Sequence, residues 1–354
     1  MKLNIFKNSV ESFGLDISGS SAKIVQLKRA GKTWKLQCFS TIPVPKGVIS
    51  NDVVLDSDGL SKLIIRGLDS PDFGHVSTPY VHVSLPESKS FVRIIHIPVM
   101  SEQAADQAVL FEAESYIPIP IDQVYLDWQP TGRVDEARME VLIIATPIET
   151  VDKFLSTVQK AHLRPTALEV GSQSILRSVI ADTSEETTLV VDLGTNRTNL
   201  IMVEQGTLQF SSSIPVAGNT FTESIARFLG ITNSKAEAIK DDVGIANTTE
   251  YPNIKIALLP ILNNLGAEIK NVLKFHNEHS KIPATKILLC GGSAKMKHLA
   301  EFLMPEFSDI PGLVVEVADP LKVWQGKVDL GKLNSYNVLD YTTALGLALR
   351  PEGY

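Results

Sequence analysis

"LVVDLGTNRTNLIMVEQGTLQFSSSIPV", residues 189–216, decides the fold, because the chain carries a second version of it. The other is "SFGLDISGSSAKIVQLKRAGKTWKLQCFSTIPV", residues 12–44. Each begins apolar–Asp–apolar–small, with Asp16 and Asp192 as the acids. Each has a polar residue seven positions later, Lys23 or Asn199. A β-rich stretch follows, at 24–27 and 200–203, then a glycine turn at Gly31 or Gly206. Both end in a third stretch closing on "IPV". Strand, turn, strand, turn, strand is a β-meander. Its recurrence about half a chain later predicts a duplicated domain.

The flanking segments correspond too. A helical pattern follows each meander, at 56–68 and 218–230, and another strand comes later in each half, at 80–86 and 285–292. Strands alternating with helices predict an α/β class with a mixed sheet. Two such halves are expected to enclose a cleft in which the two polar turns face one ligand.

Composition bounds the rest. A chain of 354 residues has room for two or three domains and buries about three quarters of its unfolded surface without staples. Hydrophobic residues are 44% and charged residues 21%, an ordinary globular balance. The net charge of −7 argues against bulk nucleic-acid binding. Two cysteines, Cys38 and Cys290, are too few for a zinc site or a disulfide framework and suit a reducing compartment. The N-terminus lacks the apolar core of a signal peptide, and no apolar run approaches the ~20 residues of a spanning helix. A cytoplasmic location is expected.

The turns suggest chemistry. Taken singly, "FGLDISGSSAK" (13–23) is also what a polar hairpin turn looks like. Taken as a pair, the turns offer small residues that let backbone N–H groups cradle phosphate oxygens, with hydroxyls and a lysine as further donors. Two aspartates suit a Mg²⁺ ion held largely through water. A third piece, "KILLCGGSAKMKHLAEFL" (286–303), reads as a buried strand breaking at Gly291-Gly292 into a helix that Ser293 is placed to cap.

In this order the three pieces resemble the first phosphate, second phosphate and adenosine motifs of the actin-like ATPase superfamily. Within it, "FEAESYIPIPIDQVYLDWQ" (111–129), "EVGSQSILRSV" (169–179), "AEAIKDDVGI" (236–245) and "TTALGLALR" (342–350) resemble the PilM family of the type IV pilus assembly platform. The similarity runs over nearly the whole chain.

The resemblance implies duplicated actin-like, ribonuclease H-like domains around a nucleotide cleft, with an inserted FtsA-type subdomain. The first domain would comprise 12–84, 164–186 and 340–354, the insert 85–163, and the second domain 187–339 with a small subdomain at about 231–284. The insert's own pattern agrees: strands at 90–99 and 139–147, a helix that Ser101 is placed to cap, and a second helix at about 149–162.

It also implies ATP and Mg²⁺ as ligands. The first phosphate turn would be Asp16, Ser18, Gly19, Ser20, Ser21 and Lys23; the second, Asp192, Gly194, Thr195, Asn196, Thr198 and Asn199. Glu237 and Lys240 match the family's residues beside ribose and base, and Gly291, Gly292 and Ser293 the adenosine motif. Asp16 and Asp192 would hold the magnesium. The chain departs from the superfamily in its Ser18-Gly19 order and in Arg197, which either reaches a phosphate or, the favoured reading, points to solvent. The implied partner is the cytoplasmic N-terminal peptide of PilN, an inner-membrane protein, which would recruit this chain to the membrane. A homo-oligomer is compatible with the resemblance.

Other readings compete. A sugar kinase of the same superfamily needs a carboxylate to deprotonate a substrate hydroxyl, and none can be nominated, so at most a weak ATPase is expected. An FtsA-like division filament needs a C-terminal amphipathic helix, and the sequence stops at "ALRPEGY". "GKT" at 31–33 is no phosphate loop, because Gln26 stands where the motif needs glycine. His276 and His279 are expected at a solvated helix end rather than on a metal. Phe111, Tyr116, Tyr125 and Trp128 look like a partner surface in the family context, but most of them are expected in the insert's core.

Overall fold

A computed structural model of the chain describes residues 11–351 apart from 134, 182, 247, 335 and 336. The chain divides into two compact units: Met1–Lys89 with Ile148–Ser178 and Pro320–Tyr354, and Ser90–Pro147 with Val179–Asp319.

The first unit is built on a seven-stranded sheet. Its meander is Phe13–Ile17, Ser21–Ala30 and Thr33–Pro43, paired antiparallel. Gly31 sits at the hairpin with φ of 67°, which is a turn and not a phosphate loop. Tyr80–Leu85 lies parallel beside the first strand, and Arg164–Val170 parallel beside that. Helix Ser57–Asp69 starts where Asp56 accepts a hydrogen bond from the Gly59 N–H at 2.8 Å.

The second unit repeats this order. Its meander is Thr188–Leu193, Thr198–Glu204 and Thr207–Ile214, with Lys286–Cys290 parallel to the first strand and Val314–Val317 parallel beyond. Thr188–Leu193 is buried along its whole length, as expected for a strand in mid-sheet with both faces covered. Helices Gly218–Leu229, Asn233–Val243 and Ile254–His279 pack their apolar faces on it through Phe221, Ile225, Leu258, Leu262 and Ile269.

The inserted segment groups with the second unit. Its strands Phe91–Pro98, Arg138–Pro147 and Val124–Arg133 extend the second sheet to eight strands, joined where Phe210 pairs with Arg93. The Arg93 guanidinium lies 4.8 Å from the Tyr116 ring and 5.8 Å from Phe275, which meets Phe210 edge-on at 5.0 Å. One cation over two rings ties the insert to the long helix.

Two segments group differently from the sequence boundaries. Helix Ile148–Lys160, expected with the insert, lies in the first unit: the Thr157 and Ser57 hydroxyls are 2.6 Å apart, and Lys160 Nζ donates to Asp58 Oδ1 at 2.6 Å. Residues 320–339, expected with the second domain, also lie in the first unit. Val328–Asp329 pairs parallel with Thr33–Pro43, and Leu330, Leu333 and Val338 share a core with Val25 and Leu27.

Of the four aromatics expected mostly in the core, Trp128 packs against it and the other three are exposed. Phe111 is 78% exposed, Tyr125 51% and Tyr116 37%, while the Trp128 indole donates to Asp106 Oδ1 at 3.0 Å. The insert's interior is already filled by Ile95, Ile97, Val109, Ile117, Val141 and Ile143. Ser101 precedes helix Glu102–Ala113 without a side-chain capping bond.

Candidate functional site

In each unit an aspartate stands near the end of the meander's first strand. Its neighbours follow from the sheet register. Asp16 lies opposite Lys23 on the antiparallel side. On the parallel side the register Leu15–Val83 brings Ser84 beside it. Asp192 lies opposite Asn199 and, on the parallel side, Cys290. Lys23 and Asn199 are thus equivalent positions of the repeat, and so are Ser84 and Cys290.

Burial pushes the Asp16 carboxyl above its ordinary range, opposed by the Lys23 ammonium and by the Ser84 hydroxyl, which donates to Oδ1 at 2.7 Å. Lys23 Nζ donates to the Asp340 carbonyl at 2.6 Å. The turn between them is closed locally. Ser18 N–H and Oγ both donate to the Ser21 carbonyl at 2.9 Å, and Val44 N–H donates to Ser20 at 2.9 Å. Ser18, Gly19 and Ser20 therefore sit in a tight, half-buried bend beside the acid.

The second unit gathers more of the expected residues. Asn199 Nδ2 donates to Asp192 Oδ2 at 2.9 Å. The Gly194 carbonyl accepts from Gly218 N–H at 3.0 Å, and the Thr195 carbonyl from Asn219 N–H at 2.9 Å, so the second turn is seated on the start of helix Gly218–Leu229. Asn219 Nδ2 also donates to Asn196 Oδ1 at 2.7 Å, and Thr195 and Asn196 are exposed. Gly291, at φ of 80°, lies against Asp192: a β-carbon there would fall 2.5 Å from Oδ1. A β-carbon on Gly218 would fall 2.4 Å from Ser293 Oγ. These two glycines keep the second turn and the adenosine-type turn in contact.

Several residues play parts other than those expected. Ser293 does not cap a helix; Gly292–Lys295 is a 3₁₀ turn, and Ser293 Oγ donates to the Gly194 carbonyl at 3.3 Å. Thr198 is wholly buried, its hydroxyl donating to the Val216 carbonyl at 2.6 Å, so it braces the turn from beneath. Arg197 does not point freely to solvent but is half-buried, donating through Nε to Ser213 Oγ at 2.9 Å. Lys240 is buried at 6% exposure, its ammonium 3.2 Å from Thr222 Oγ1 and 3.8 Å from Glu237 Oε1. Glu237 itself is exposed. His276 is buried rather than solvated, with Nε2 2.9 Å from the Ile282 carbonyl. Ser84 was missed by sequence reasoning. Its signal was the alignment of "YVHVSLP" with "TKILLCGG", in which Ser84 and Cys290 stand near the ends of corresponding strands.

The groups present fit a polyphosphate with a water-shelled divalent cation. Backbone turns with glycine and hydroxyl residues lie beside a fixed carboxylate in each unit, and Gly291 lets its turn approach Asp192 more closely than a residue with a β-carbon could. Among the described residues no group of three or more His, Cys, Asp or Glu could hold a metal ion by direct ligation. A cation here would therefore keep most of its waters, as Mg²⁺ prefers.

Comparison with known proteins extends this picture. The family model described as "Type IV pilus assembly protein PilM" matches residues 14–352. A solved PilM-PilN type IV pilus biogenesis complex is similar over 96% of this chain and 98% of that one, at 27% identity and a TM-score of 0.80. Two more distant structures share the fold. The ethanolamine utilization protein EutJ from Carboxydothermus hydrogenoformans has 14% identity and a TM-score of 0.55 over 96% and 89% of the two chains. MreB 5 of Spiroplasma citri bound to AMPPNP has 12% identity and a TM-score of 0.55 over 94% and 93%. The fold is therefore actin-like. Among the described residues no helix is long and apolar enough to cross a membrane.

Proposed function

Because the chain belongs to the type IV pilus assembly protein PilM family, we propose that it is an actin-like scaffold of the pilus assembly platform. It holds the short cytoplasmic N-terminal peptide of a PilN-like inner-membrane protein, and so works in the cytoplasm at the membrane face. The similarity to the PilM-PilN complex carries this reading, since it takes in the insert as well as the repeated halves. Capture of an extended peptide gains main-chain hydrogen bonds plus a few side-chain pockets. A synthetic peptide of that N-terminus is expected to bind one-to-one. The peptide starts disordered, so ordering it consumes part of the contact energy, and a Kd on the order of micromolar follows. Titration calorimetry tests this; no heat with peptide at hundreds of micromolar overturns it.

We further propose that the scaffold binds ATP with Mg²⁺. Ser18, Gly19, Ser20, Ser21 and Lys23 would take phosphate oxygens in one unit, and Gly194, Thr195, Asn196 and Asn199 in the other, with Asp16 and Asp192 on the magnesium's water shell and Glu237, Lys240, Gly291, Gly292 and Ser293 beside the nucleoside. Support comes from the fixed carboxylate of each meander and from the glycine contact at Gly291. Mg²⁺ would supply charge neutralisation for the phosphates. ATP–Mg²⁺ at about 100 times its Kd should add roughly 2.7 kcal/mol of stability. If Asp192 orients the ion's water shell, Asp192→Asn weakens ATP binding far more with Mg²⁺ than in EDTA. Equal losses in the two buffers would make Asp192 a turn-former only.

A further inference from the structure

We propose that Ser84, which belongs to none of the three nucleotide motifs, is a positioning residue for magnesium-dependent nucleotide binding: its hydroxyl sets the Asp16 carboxylate. The inference rests on the ATP reading above. Ser84 is the last residue but one of strand Tyr80–Leu85 and is 3% exposed, so it acts through a neighbour.

Its hydroxyl has two partners with fixed roles. Ile17 N–H donates to Ser84 Oγ at 3.2 Å. Ser84 Oγ donates to Asp16 Oδ1 at 2.7 Å. A hydroxyl has a single hydrogen, and with the amide supplying a donor from one side, that hydrogen is committed to the carboxylate. The backbone ladder between the two parallel strands runs from Phe13–Val81 to Leu15–Val83. Ser84 takes over one residue further on. The same side chain thus replaces the next rung of the sheet and aims the acid.

The repeat gives the independent observation. In each half a neutral donor holds the aspartate, and the stronger donor comes from opposite sides. In the second half the strong donor is the Asn199 amide on the antiparallel strand, at 2.9 Å, while the parallel neighbour Cys290 adds only a weak S–H contact at 4.0 Å. In the first half the antiparallel position is Lys23, whose ammonium is engaged by the Asp340 carbonyl, and the donor comes from the parallel strand as Ser84. The role is kept while the strand that supplies it changes.

The test compares ATP affinity with Mg²⁺ and in EDTA, alongside melting of the nucleotide-free protein. A hydrogen bond to a charged group is worth enough for Ser84→Ala to weaken ATP–Mg²⁺ about tenfold. In EDTA the change should stay within about twofold on the same basis. Ser84→Thr keeps the hydroxyl and should bind close to the parent. Ser84→Cys places the second repeat's residue in the first, and its weaker donor should give an intermediate loss that remains readable if the threonine methyl prevents folding. In an Asp16→Asn background Ser84→Ala should add no further loss. Equal losses with and without Mg²⁺, cysteine binding as well as serine, or full additivity with Asp16→Asn would overturn the proposal. A parent protein that binds no ATP would instead remove the nucleotide reading itself.

Discussion

Gly291→Ala is expected to leave the protein folded and to weaken ATP–Mg²⁺ binding by about a hundredfold, the upper end for losing an aligned hydrogen bond to a charged group. Two effects meet at this residue. Its φ of 80° with ψ of 168° is a conformation essentially confined to glycine, at a cost of about 1–3 kcal/mol for another residue. Its β-carbon would also fall 2.5 Å from Asp192 Oδ1 and 2.8 Å from the Leu193 carbonyl. Leu193 closes a strand buried along its whole length, so the backbone is the stiffer neighbour. The Asp192 side chain gives way, and its bond from Asn199 is lost. Gly230→Ala separates the two effects. It lies in the same unit in the milder left-handed conformation, φ of 65° and ψ of 35°, with nothing within 4 Å of the added carbon. That variant should melt earlier yet bind nucleotide like the parent. Gly291→Ala binding as tightly as the parent, or Gly230→Ala losing affinity equally, would break the link between this turn and the carboxylate.

Much of this geometry was legible before any coordinates. The duplicated meander has a sequence signature because strands alternate, turns take glycine, and a lone acid in an apolar run stands out. The observed register then places Asp16 and Asp192 at equivalent sites. Other features left no such trace. Val328–Asp329 is a two-residue strand recruited by a distant edge, too short for any periodicity. Helix Ile148–Lys160 has a clear apolar face, but pattern alone does not say which unit that face meets. Phe111, Tyr116 and Tyr125 read as core because large rings usually bury; only the packing shows that aliphatic residues had already filled the interior. Ser84 and Thr198 are ordinary strand hydroxyls in sequence, and their roles appear only once the neighbouring strands are in register.

Glu169→Ala is expected to destabilise the first unit by about 3 kcal/mol, the lower part of the range for leaving buried charges without their partner. The Glu169 side chain is 2% exposed and is held by two arginines. Arg177 pairs with it in a two-pronged arrangement, NH1 to Oε1 at 2.7 Å and NH2 to Oε2 at 3.0 Å, and Arg350 adds a third contact at Oε2. The arginines are 19% and 22% exposed, so water screens part of the loss, and the upper range does not apply. Arg177 NH1 also donates to the Gly346 carbonyl at 2.6 Å, and His82 Nδ1 lies 2.9 Å from the Leu347 carbonyl. Burial, foremost, holds the His82 imidazole below its usual range, so it adds no positive charge to a cluster already holding two. Together these groups fasten helix Thr342–Ala348 to strand Arg164–Val170. Urea unfolding can be followed through Trp324, whose indole donates to the Arg177 carbonyl at 3.2 Å. Arg350→Ala should cost clearly less, because the Arg177 pair survives it. The reverse ranking would show that Glu169 is not the hub. The consequence reaches the first phosphate turn, since Asp340, just before that helix, supplies the carbonyl that holds Lys23. Loosening the helix frees the Lys23 ammonium to close on Asp16, so Glu169→Ala should also weaken ATP–Mg²⁺ binding although Glu169 belongs to none of the nucleotide motifs.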